Sequence, residues 1–227
     1  METIDNIKLI DNGLRHIECE FTFESPSLFR VLRESHSIFY RSMVEALRGT
    51  DNSFITGRNG DKNKKLIIKI GDEDWKQIIK GPVVEGCKKA WRYTEPGICS
   101  KPEKLGEPLS DAEWQKSQAW LIPFYDAVAM VQAKPFMCRF TCSNELSISN
   151  SEMILLEWAH EKIRNVYEHF VPKLYSSSRK DLERGLLLLL EKSDYLLFVS
   201  GNISYRDHEI LNQMRNKIHR LRSQALG

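Results

Sequence analysis

One short stretch of the chain holds three kinds of chemistry in a row: Arg164-Asn165-Val166-Tyr167-Glu168-His169. A histidine titrates near neutrality and can serve as general acid or base. An arginine stays charged at every working pH and offers a planar fork matched to phosphate oxygens. Asn165 can orient either group or hydrogen-bond a ribose. These are the groups needed to cleave an RNA phosphodiester by its own 2′-hydroxyl without a metal. Arg164 and His169 are separated by about 140° around a helix of 3.6 residues per turn, so they do not form a straight stripe. Both edge one groove if Asn165 fills the angle between them and the helix frays before Pro172. The plain alternative is an exposed arginine and a histidine satisfied near a helix C-terminus, where the macrodipole favours it.

Other candidates are weaker. Arg215-Asn216-Lys217-Ile218-His219 echoes the same start with one residue fewer, and Arg220 and Arg222 follow it. Arg215 and His219 share one helix face. Arg215, His219 and Arg220 are therefore candidates for RNA-backbone contact, against the ordinary alternative of a solvated helix face. Arg58, Lys62, Lys64 and Lys65 surround one aspartate and either grip RNA or form a solvated turn. His36 reads first as a core or surface histidine, with approach to the groove as its alternative.

No phosphate-cradling G-x-x-x-x-G-K, no G-x-G-x-x-G, no H-E-x-x-H and no G-x-S-x-G occurs, which removes the usual supports for nucleotide-driven phosphoryl transfer, dinucleotide redox chemistry and zinc peptidase work. Cys19, Cys87, Cys99, Cys138 and Cys142 are an odd set without C-x2-C spacing. Reduced thiols of a cytoplasmic protein are expected, with no metal and no cofactor.

The elements that must position these groups are mostly helices. Ser25 before Pro26 starts an apolar pattern at three- and four-residue spacing that runs over 25–48 and stops at Gly49. Residues 54–57 and 66–70 read as two short strands around a polar Asn-Gly turn. Residues 72–80 read as a short helix holding Trp75, and 93–110, with Pro96, Pro102 and Pro108, as a long loop. A helix starting near Ser110 is expected to break around Leu121, ahead of Pro123. Ser149 or Ser151 opens the helix that carries Arg164, ended by Pro172. Two more helices follow, over 179–199 and 206–225. The expectation is a mainly α chain of five helices packed as an antiparallel bundle, one domain over 1–227, with a small β-hairpin and loop insertion at about 50–110.

Composition bounds the class. The chain has 227 residues, 41% hydrophobic and 28% charged, with a net charge of +2. That is ordinary for a folded domain and excludes a generally basic, tail-driven nucleic-acid binder. No apolar leader opens the chain, and its longest apolar run, 186–190, is far too short for a bilayer, so no membrane is expected.

Arg164-Asn165, three residues and then His169-Phe170, on a long helix of a helical chain, resemble the R-x4–6-H signature of the HEPN superfamily. The helices over 25–48 and 179–199 resemble those that flank the motif helix in that family, and the likeness covers about two thirds of the chain. The resemblance implies a homodimer whose paired motif helices form a composite, metal-independent ribonuclease site, in a toxin–antitoxin or antiviral defence system with RNA as its substrate and an antitoxin or defence subunit as its protein partner. Carried over, Arg164 stabilises the phosphorane, His169 is the general acid/base and Asn165 positions them. Many members have lost catalysis, so a non-catalytic binding or assembly subunit is the rival reading, with the 93–110 segment and the β insertion as its docking surface.

Overall fold

The computed structural model describes residues 5–48, 65–69, 75–99, 121–138, 140–165, 176–204 and 208–225. His169, Arg58, Lys62 and Lys64, and the strand expected at 54–57, lie outside them.

The chain is mainly helical. α1 (Asn6–Glu20) opens where the Asp5 carboxylate accepts from the Ile7 amide at 3.0 Å, satisfying one orphan donor of the first turn. Its Ile10, Leu14 and Ile17 are buried on one stripe. α2 (Leu28–Leu47) buries Val31, Leu32, Phe39, Met43 and Leu47. The two helices approach closely at Gly13, where a Cβ would stand 2.9 Å from Glu34 Oε1 and 3.0 Å from Ile38.

α3 (Phe124–Val131) starts directly after Pro123, and α4 (Lys134–Met137) is a single turn. α5 (Asn150–Trp158) starts at Ser149, whose hydroxyl and Glu152 form a reciprocal capping box. It continues without a break into a π-helical turn, Ala159–Arg164. α6 (Arg179–Asp194) likewise runs on into a π-helical turn, Tyr195–Val199, and α7 (His208–Gln224) follows. α2 is the central element, packed against α1, α3, the π turn of α5 and α6. α7 closes over α1 and α6.

β1 (Lys65–Lys69), β2 (Trp75–Val83) and β3 (Trp91–Cys99) form an antiparallel sheet in the order β1-β2-β3. β1 pairs with β2. Two expectations are corrected here. The segment expected as a helix around Trp75 is strand β2, because pairing on both edges outweighs the helix-like spacing of Trp75, Ile78 and Ile79. The first part of the expected loop, through Cys99, is strand β3. Its Pro96 is tolerated because β3 is an edge of this sheet and its register shifts between the Gln77–Gly97 and Ile79–Thr94 pairs, leaving Glu95 and Pro96 in a bulge. The expected count of five helices is also exceeded, by α1 and α4.

No helix among the described residues is long and apolar enough to cross a membrane.

Candidate active site around Arg164

Arg164 ends the π turn of α5, and the amide of Asn165 donates to the carbonyl of His160, five residues back. Such one-turn widenings re-aim side chains and recur at functional sites. Here the wide turn lays His160 and Arg164 along one face. The Arg164 guanidinium donates through Nη1 to Asn165 Oδ1 at 2.9 Å, so two of the three motif residues are held together. The third, His169, lies outside the described residues.

Arg164 lines a cavity of about 660 Å³. His36, Tyr40 and Arg41 of α2 and Phe124 and Tyr125 of α3 meet His160 and Arg164 around it, with Asn6 and Leu9 of α1 at one side. Two arginines and two histidines stand in this wall, and no carboxylate among the described lining residues.

His36 Nε2 and His160 Nδ1 lie 3.0 Å apart, one donating and the other accepting. His36 is only 3% exposed. The Phe124 ring stacks on His160 at 4.2 Å and 4°, and Tyr125 meets it edge-on at 5.1 Å. This packing fixes the imidazole of His160 with its Nδ1 engaged. Burial, the neighbouring His160 and the Arg164 charge hold the pKa of His36 at about 3. Burial first, then the Arg164 charge, hold His160 at about 4, with Glu161 opposing and Lys89 adding to the depression. Both rings are therefore neutral at pH 7.

The turn between β2 and β3 braces this helix from outside. The amides of Lys88, Lys89 and Ala90 all donate to the Glu157 carboxylate, at 2.9 to 3.2 Å. Lys89 Nζ reaches Glu161 Oε2 at 2.9 Å, and the Tyr125 hydroxyl donates to Glu161 Oε1 at 2.8 Å. Burial would raise the Glu161 carboxyl, but these two hydrogen bonds outweigh it and hold it below its usual range. From α2, the Tyr40 hydroxyl donates to the Ile122 carbonyl, tying α2 to the start of α3.

The C-terminal basic residues are placed elsewhere. Arg215 Nε and His219 Nε2 stand 3.9 and 3.6 Å from Asp194 Oδ1, and Arg220 Nη2 stands 2.6 Å from Glu18 Oε1. All three are paired within the molecule, and none lines the Arg164 cavity. Lys65 opens β1. Among the described residues no group of three or more His, Cys, Asp or Glu side chains converges as a metal site. Cys87 is buried, its thiol pushed up to about 11 by burial and by Glu157.

His160 was not singled out by sequence reasoning, although its four-residue spacing from Arg164 is a same-face signal. His36 joins it from 124 positions away, a contact that no local pattern carries.

No family model matches the chain, and neither a curated protein nor a solved structure matches it.

Proposed function

We propose that the chain is a HEPN-like, RNA-directed protein of the cytoplasm, a metal-independent endoribonuclease that cleaves RNA by 2′-hydroxyl transesterification. In this reading its helices form one antiparallel HEPN-like bundle that works as a homodimer, in a toxin or antiviral defence system. The observation that carries it is the cavity into which Arg164 is set beside two neutral imidazoles and a second arginine, Arg41, without a described carboxylate. Such a wall favours a phosphodiester: a permanent fork for its oxygens and ring nitrogens for its protons. Arg164 binds the phosphate and stabilises the charge that builds on it, Asn165 orients the guanidinium, and His169 moves the 2′-hydroxyl proton.

The test is cleavage of end-labelled RNA by the purified chain. EDTA is expected to leave the rate unchanged. Arg164→Ala and His169→Ala are each expected to lower it by about 10²- to 10⁴-fold while circular dichroism stays native. Wild-type rates in both variants would refute the assignment. The rival reading, a non-catalytic assembly subunit, is favoured by Phe23 and Phe140, large rings 57% and 61% exposed. Under it, Phe140→Ser would abolish complex formation, and Arg164→Ala would not.

A further inference from the structure

We propose that His160, held in place by His36, is the proton donor of the Arg164 cavity, charged only while a phosphodiester occupies the guanidinium. The inference rests on the reading of this cavity as a phosphodiester site and assigns that site a second histidine.

Geometry carries the argument. His160 has two ring nitrogens, and Nδ1 is taken by His36 at 3.0 Å. Phe124 covers one face of the ring. That leaves Nε2 as the nitrogen through which His160 can exchange a proton in the cavity it lines together with Arg164. His36, almost fully buried, is the positioning residue. It fixes the tautomer and accepts or supplies the hydrogen bond at Nδ1, as second partners of functional histidines do.

The cations around the pair all push the same way. On α5, Arg164 pushes both rings towards the neutral form, and Lys89 from the β2–β3 turn adds to this at His160. Only Glu161 opposes them, and its two oxygens are engaged by Lys89 and Tyr125. α2 adds Tyr40 and Arg41, and α3 adds Tyr125. α1 contributes Asn6 and Leu9, neither of which titrates. Burial is the largest cause of the low value at His160 and the Arg164 charge the next; an anion bound on Arg164 offsets that charge and adds a negative one to the cavity, so the bound phosphate recruits the proton that its own cleavage needs.

The step then balances. The 2′-oxygen attacks phosphorus and its proton passes to the general base, the role that the proposed function assigns to His169. The P–O5′ bond breaks, and O5′ takes the proton from Nε2 of His160. The products are a 2′,3′-cyclic phosphate and a 5′-hydroxyl; His160 is left in the neutral form of the free protein, and the base releases its proton to solvent.

The experiment uses a DNA dinucleotide, which carries the phosphodiester but no 2′-hydroxyl and so cannot be cut by this route. Isothermal titration at pH 6, in two buffers of different protonation enthalpy, counts protons taken up on binding. About one proton per dinucleotide is expected for the wild type. His160→Gln should bind with none. His36→Gln, which keeps a hydrogen-bonding side chain, should retain more of the uptake than His36→Phe. Nitrogen-15 histidine spectra of the wild type should move the His160 titration from about 4 to about 7 or above on binding, the rise of roughly three units that uptake of a whole proton at pH 6 requires, and this needs no variant to fold. Binding without uptake, uptake that survives His160→Gln, or no binding at all would overturn the proposal. Uptake without any RNA cleavage would sink the endoribonuclease reading alone; RNA cleavage without uptake would sink this inference alone.

Discussion

His36 and His160 are titratable groups that the fold holds uncharged, and this makes stability depend on pH. Their folded values are about 3 and about 4, against 6.5 for a free imidazole. Below pH 6.5 the unfolded chain takes up protons that the folded chain refuses, so stability is full above that value and falls as the pH drops towards 4. A fully buried imidazole removes about 1.4 kcal/mol for each pH unit in that window; His160, partly open to the cavity, removes less. The urea midpoint is expected to fall between pH 7 and pH 5. His36→Phe keeps a ring in the same space and removes one titration, so its midpoint should fall less steeply. A variant as pH-sensitive as the wild type would show that His36 is not held neutral. None of this was legible in the sequence, where His36 read as an ordinary core or surface residue. Its burial was within that reading, but its partner His160 becomes visible only once α2 and α5 are packed together.

At the scale of elements, legibility followed how local the determinants were. α6 with its π turn covers the expected 179–199, because a polar N-terminal turn capped by Ser178 and a leucine-rich interior specify a helix without outside help. Ser149 opens α5 for the same reason, through a cap and a glutamate three residues on. The β2–β3 hairpin was missed because its strands are stabilised by pairing and docking rather than by their own pattern. Glu157 is the anchor of that docking: burial would raise its carboxyl, yet the three amides of Lys88–Ala90 hold it ionised and below its usual range. Glu157→Ala removes the acceptor shared by those amides, at a local cost of roughly 1–3 kcal/mol. Hydrogen exchange at Lys88, Lys89 and Ala90 is expected to quicken about tenfold or more, with the amides of α2 unaffected. Unchanged exchange at these three amides would mean that the turn is held by other contacts. The π turns were equally hidden, since an i→i−5 bond leaves no mark in apolar spacing.

At the scale of the whole molecule, the net charge of +2 conceals a division of labour among the cations. Lys217 and Arg220 of α7 are paired with Asp11 and Glu18 of α1, at 2.5 and 2.6 Å, and Arg215 and His219 face Asp194 of α6. These contacts link α7 to α1 and α6, so the C-terminal basic residues that the sequence offers as candidates for RNA contact, or as a solvated helix face, stand in ion pairs within the molecule. Arg41 and Arg164, the latter hydrogen-bonded to Asn165, stand in the wall of a cavity whose described lining holds no carboxylate. Counterion release turns this into a measurable difference. Each phosphate met on a single strand contributes about 0.7 to the slope of log K against log salt concentration. Arg41→Ala and Arg164→Ala are each expected to reduce the magnitude of that slope for single-stranded RNA by about 0.7. Arg220→Ala should leave the slope unchanged and lower the melting temperature slightly, because what it loses is an exposed pair with Glu18. A slope that responds to Arg220 and ignores Arg41 and Arg164 would move the RNA path off the cavity and onto α7. The homodimer reading adds a concentration dependence. If two cavities form one composite site, cleavage per chain should fall on dilution below the dimer dissociation constant, while the slope measured at high concentration keeps its dependence on both arginines.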